Sequence, residues 1–124
     1  MSAPTKTTRA GKKIIPRYRV YRGTEIVLGP GKAELLEHIA ATGSISEAAR
    51  LMDMSYNRAW LHVKMMNENF KDPLVNSSRG GSAGGGAELT DAGKAILELY
   101  RQLEMQAAEA TSRTRESLAR LLKP

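Results

Sequence analysis

Asn57 and Arg58 stand side by side at the start of an apolar-periodic segment, and their side chains carry the donor patterns that match base edges. An arginine fork fits guanine and an asparagine amide fits adenine, so this pair is the foremost candidate for reading a nucleic-acid sequence. Ser55 just before them is placed to cap a helix, and Tyr56 can pack inward or offer its hydroxyl to a phosphate. His62 and Lys64, one turn further on, suit a phosphate contact or simple exposure to solvent. Ser44 and Ser46 open an earlier helix, where unpaired backbone N–H groups favour an anion, although Ser44 could serve as a cap alone. Arg79 stands at the mouth of a glycine run, Gly80-Gly81-Ser82-Ala83-Gly84-Gly85-Gly86, that would let the backbone approach a duplex closely.

Other chemistry finds little support in these residues. The chain has no cysteine, hence no disulfide framework, thiolate metal site or thiol nucleophile. His38 and His62 fall on different helices without acidic or thiolate company, and no Ser-His-Asp set or carboxylate pair stands out. The glycine run lacks the lysine spacing of a nucleotide-binding loop. No enzyme activity, metal or cofactor is therefore expected. The methionines Met52, Met54, Met65 and Met66 read as core filler and surface.

The elements that must position these residues follow from periodicity and punctuation. Tyr18, Val20, Ile26 and Leu28 flank the turn signal Gly23-Thr24, which predicts a short β-hairpin over 17–28. After Gly29-Pro30-Gly31, the residues Leu35, Leu36, Ile39 and Ala40 repeat at helical spacing until Gly43. A second helix from Ser44 to about Met52 should bury Ile45, Ala48, Ala49 and either Leu51 or Met52. Ser44 and Glu47 have the spacing of a capping box, and Asp53 can take the left-handed turn that follows. A third helix from Tyr56 to about Asn69 should turn Tyr56, Ala59, Trp60, Val63, Met66 and Phe70 inward. Asn57, Arg58, Leu61, His62, Lys64 and Met65 then face out. Two short strands, Leu74–Ser78 and Ala87–Leu89, flank the glycine loop. Thr90 caps a final helix whose seam is Ile96, Tyr100, Leu103, Ala107, Ala110 and Leu121.

Two short helices joined by a tight turn and followed by a two-stranded loop make a winged helix-turn-helix. The second helix of such a pair is shaped to enter a DNA major groove. The expected class is mainly α with a small β wing, an N-terminal β-hairpin and a long C-terminal dimerisation helix. The organisation expected is a disordered basic tail over 1–16, a winged helix-turn-helix over 17–90 and a dimerisation helix over 91–124. The formal charge of +6 favours a polyanion, and it is concentrated. Lys6, Arg9, Lys12, Lys13, Arg17, Arg19 and Arg22 all precede the first acid, Glu25. That arm could seek phosphate or merely keep the chain in solution. With no apolar signal segment and no stretch of membrane-spanning length, a cytoplasmic protein is expected.

With these pieces in order, the chain resembles the DNA-binding half of the molybdate-responsive transcriptional regulators, the ModE family, which are related to the LysR type. The matching segments are Gly29-Pro30-Gly31-Lys32, Thr42–Ser46, Met54–Trp60, Met66-Asn67, Pro73–Val75, the glycine wing and Leu89–Gly93, together covering Arg17 to Leu103. The resemblance implies binding of double-stranded DNA and homodimerisation through the terminal helix. Oxyanion-sensing members carry a C-terminal ligand domain of small β-barrels, whereas this chain ends at Pro124, so no oxyanion ligand is expected here. The rival readings are an architectural protein that coats DNA with little sequence preference, and an adaptor that kept the winged fold for protein contacts.

Overall fold

Gly29-Pro30 marks the first helix, because proline at the first helical position has the right φ and no N–H to waste. In a computed structural model that describes residues 7–8, 12–78 and 86–124, the elements are eleven. They run β1 (Thr7–Thr8), β2 (Lys12–Lys13), β3 (Val20–Arg22), β4 (Glu25–Leu28), α1 (Pro30–Thr42), α2 (Ile45–Leu51), α3 (Tyr56–Asn69), β5 (Val75–Ser78), β6 (Gly86–Leu89), α4 (Asp91–Ala110) and α5 (Ser112–Ala119). The strands form three antiparallel pairs, β1 with β2, β3 with β4 and β5 with β6. No helix among the described residues is long and apolar enough to cross a membrane.

The chain divides into two compact units. The larger, Arg19–Glu98, is a three-helix core with a hairpin on each side. Leu35, Leu36, Ile39, Met66 and Leu74 are its largest fully buried side chains, and Ala48, Ala49 and Ala59 let α2 approach its neighbours closely. Helix α1 packs on α2, α2 on α3, and β4 lies against both α1 and α3. Gly43 closes α1 in the left-handed region (φ 72°), its N–H donating to the Ile39 carbonyl at 2.8 Å. Its own carbonyl accepts from the Ala87 N–H at 2.9 Å, which ties β6 to the start of the helix-turn-helix.

Asn67 holds β5 in place. Its side chain accepts from the N–H groups of Leu74 (2.8 Å) and Val75 (3.1 Å) and donates to the Val75 carbonyl (3.0 Å). The strands β5 and β6 pair from Val75 with Leu89 to Ser78 with Gly86, and the segment joining them, including Arg79, lies outside the described residues. Thr90 then caps α4 as expected, its hydroxyl accepting from the Gly93 N–H at 2.9 Å. Gly93 has no room for a side chain, since a Cβ there would press into the Leu74 carbonyl.

The smaller unit joins the described residues before Arg19 to Leu99–Pro124. Tyr100 is buried and donates its hydroxyl to the Tyr18 carbonyl at 2.6 Å. Glu104, also buried, accepts from Arg101 at 2.7 Å. Where the sequence predicted an unstructured tail, Thr7–Thr8 and Lys12–Lys13 pair in a short ladder. The C-terminal helix also departs from expectation, because it breaks at Thr111. That hydroxyl donates back to the Ala107 carbonyl (2.7 Å) and accepts from Arg115 Nε (3.0 Å), and Arg115 Nη2 donates to the Ala108 carbonyl at 2.6 Å, so side-chain bonds gather on the carbonyls at the break.

Candidate nucleic-acid interface

The turn between α2 and α3 presents α3 outward by its first residue. Asp53 adopts φ 56°, a left-handed conformation that a short polar side chain tolerates, and the chain reverses there. Ser55 then caps α3, its hydroxyl accepting from the Arg58 N–H at 3.1 Å. Ala59, Val63 and Met66 face the core, so Asn57, Arg58 and Lys64 are exposed on the other side. The spacing of polar and apolar residues in α3 thus sets which face is offered to a partner.

Two residues expected in the core are not there. Trp60 retains 38% of its surface exposed and Tyr56 54%. At 100° per residue both lie at the border of the buried stripe rather than within it. The buried residues of α3 are Ala59, Val63 and Met66, and among the described residues the two rings stay exposed. Ala40 and Leu51 are exposed as well, and Met52 rather than Leu51 is partly covered at the end of α2.

Basic side chains gather beside α3. His62, half-buried, has its pKa held below the ordinary value, first by burial and then by the positive charges of Lys32 and Arg58. Lys32, in the first turn of α1, is likewise lowered by burial, with Glu25 opposing the shift. Lys32 was not among the residues singled out for contact. Its signal was present, a lysine directly after a Gly-Pro-Gly helix start with no acid in the first turn. Lys32, Arg58 and His62 thus influence one another across α1 and α3, with Glu25 acting on Lys32 from the end of the β3–β4 turn.

Lys64 is less committed than its exposure suggests. Its Nζ lies 2.7 Å from Glu68 Oε2, a solvent-exposed pair one turn apart. Such pairs contribute only about 0.3–0.5 kcal/mol, so a phosphate can displace the glutamate at little cost. Ser44 is the N-cap of α2 and accepts from the Glu47 N–H at 3.0 Å, while Ser46 is exposed in the first turn. Glu47 does not complete the expected capping box. The Ser44 N–H donates to Thr42 Oγ1 at 3.2 Å, and the Glu47 carboxylate turns to Arg50 at 2.8 Å, which holds its pKa below the usual carboxylate range. His38 likewise has acidic company after all, Glu34 Oε2 at 3.5 Å one turn before it.

Comparison with known proteins bears on the fold that carries these residues. Residues 31–94 match the profile of the bacterial regulatory helix-turn-helix proteins of the lysR family. The chain is 41% identical over 91 residues to the molybdenum transport protein ModE of Azotobacter vinelandii, covering 73% of this chain and 34% of that protein. It is 38% identical over 86 residues to the DNA-binding transcriptional dual regulator ModE of Escherichia coli strain K12, covering 67% of this chain and 33% of that one. The chain thus spans about a third of the length of these relatives. Among solved structures, the complex of the CbnR DNA-binding domain with DNA superposes with a TM-score of 0.55 at 23% identity, covering 71% of this chain and 95% of that domain. At that identity the likeness speaks for the fold, the winged helix-turn-helix.

Proposed function

Because the chain belongs to the lysR family of bacterial regulatory helix-turn-helix proteins, we propose that it is a sequence-specific DNA-binding transcriptional regulator acting as a homodimer. In this reading α3 enters the major groove, where Asn57 and Arg58 contact base edges. Ser44, Ser46, Ser55, Tyr56, His62 and Lys64 engage phosphates around it, and Lys32 joins His62 in that task. The loop between β5 and β6, with Arg79, serves as a wing on the flanking backbone. The protein works in the cytoplasm, without catalysis, and DNA is its ligand.

The observation that carries the reading is the face of α3. A helix anchored by Ala59, Val63 and Met66 exposes Asn57 and Arg58 in its first turn, with Lys32 and His62 close to Arg58. Dimerisation is supported by α4, where Ile96, Leu99, Tyr100, Leu103, Ala107 and Ala110 recur at intervals of three and four along one stripe. Two-fold symmetry would place half-sites about one helical turn of DNA, or a multiple of it, apart.

Selection of bound duplexes from a random library, followed by affinity measurement at one fixed salt concentration, tests the reading. A sequence-specific regulator enriches a pseudo-palindromic sequence and binds it roughly a thousandfold or more tighter than unrelated DNA. An architectural protein would bind both equally, and an adaptor would retain no DNA even at low salt.

A further inference from the structure

The outward face of α3 is not uniformly polar. Leu61 exposes 51% of its surface and sits roughly diametrically opposite the middle of the buried stripe of Ala59, Val63 and Met66. It therefore lies on the side of this helix turned away from the core. A lone exposed leucine needs no explanation, but this one keeps particular company. Asn57 lies one turn before it and the partly covered Met65 one turn after, while Arg58 and Lys64 lie three residues to either side; Asn57, Arg58 and Lys64 are exposed. An apolar group centred among hydrogen-bond donors and cations is poorly suited to an apolar protein surface, because docking there would strip water from the flanking charges.

It is well suited to a DNA major groove. Base edges in that groove present donors and acceptors almost throughout, and their apolar feature is the C5-methyl group of thymine. A leucine pressed against any other base edge would desolvate a polar atom without replacing its hydrogen bond. We propose that Leu61 is a specificity-determining residue that selects thymine at one position of each half-site through contact with the C5-methyl group. The assignment rests on α3 being the groove-reading helix. Asn57, on the same face, would then contact a base about one helical turn of protein away from that thymine.

The test uses the full chain and the preferred duplex recovered by library selection. Each thymine in a half-site is replaced singly by deoxyuracil, which removes the methyl group and keeps the base pair. Loss of one buried methyl contact corresponds to about fourfold weaker binding, expected at one thymine per half-site. Leu61→Ala should bind the unmodified duplex more weakly and show no further loss when that same thymine becomes uracil. Because Leu61 is exposed, the variant's thermal melt should coincide with the parent's. Uracil losses of equal size in parent and variant, or a parent indifferent to uracil at every position, overturn the assignment while leaving DNA recognition by α3 standing. A selection that enriches no sequence would bring down the specific-binding reading itself, and the role of Leu61 with it.

Discussion

Arg58 serves two purposes through different atoms. Its backbone N–H completes the Ser55 cap, while its exposed guanidinium lies near His62 and is the one long donor in the first turn of α3. Arg58→Ala keeps the backbone bond, so the fold should stand and the loss should fall on recognition. A bidentate contact to guanine predicts binding to the preferred site weaker by about 1–3 kcal/mol, with little change on unrelated DNA. Equal losses on both duplexes, measured at one salt concentration, would make Arg58 a phosphate contact instead. His62 gives a pH signature. Its pKa in the folded protein lies below the ordinary 6.5, so the unfolded chain binds more protons and stability falls as pH drops from about 6.5 towards the folded value. A DNA phosphate beside Lys32 and His62 favours the imidazolium and reverses the shift, so DNA binding should take up a proton and strengthen as pH falls over that interval. Anisotropy titrations across pH 5–8 should show that slope in the parent and lose it in His62→Gln. The caps at Ser44, Ser55 and Thr90 and the left-handed Asp53 were legible because each is a local rule about one residue. Trp60 was not, since whether a border position is covered depends on what other elements place above it.

At the scale of elements, the start of β5 is held from behind by α4. The Leu74 carbonyl accepts from the Thr90 N–H at 2.9 Å, and Gly93 in the first turn of α4 lies directly against it. A methyl group at Gly93 would sit about 3.0 Å from the Leu74 carbonyl carbon and closer still to its oxygen, and neither backbone can yield without moving β5 or α4. Gly93→Ala should therefore destabilise the protein by about 1–3 kcal/mol although alanine is the better helix former. Urea unfolding of the variant beside the parent measures the difference, and a gain in stability would show that α4 shifts freely. The bounds of α3, the turn at Gly23-Thr24 and the two wing strands were all readable from period and punctuation. Asn67 was less so. A polar residue near the inner side of a helix carries no periodic signal, and its three bonds to Leu74 and Val75 exist only once the chain returns beside it. The break at Thr111 was hidden for a related reason, because one hydroxyl turned back on the Ala107 carbonyl is a weak signal amid good helix formers.

For the whole molecule, the open question is how many copies act together, and α4 carries the strongest argument. Tyr100 is buried, whereas Leu99 and Leu103 on the same stripe expose 59% and 38% of their surfaces. Ile96 and Ala107 are partly covered and Ala110 is exposed, so the stripe is only half used within one chain. Leu121, expected to continue it, lies beyond the break at Thr111 and is 82% exposed, which confines the seam to α4. Pairing of two α4 helices would cover Leu99 and Leu103, each burying apolar area worth about 25 cal/mol per Å². Leu103→Glu places a carboxylate in the middle of that seam, and two copies would bring like charges together where water is excluded. The side chain is exposed in the single chain, so the variant should fold normally. Sedimentation should then show monomer in place of dimer. Binding to a two-half-site operator should drop by about a hundredfold or more, since the second contact is no longer intramolecular, while binding to an isolated half-site changes little. An unchanged dimer mass would move the interface away from α4, and the β3–β4 hairpin, with Tyr21 58% exposed, would become the next surface to mutate.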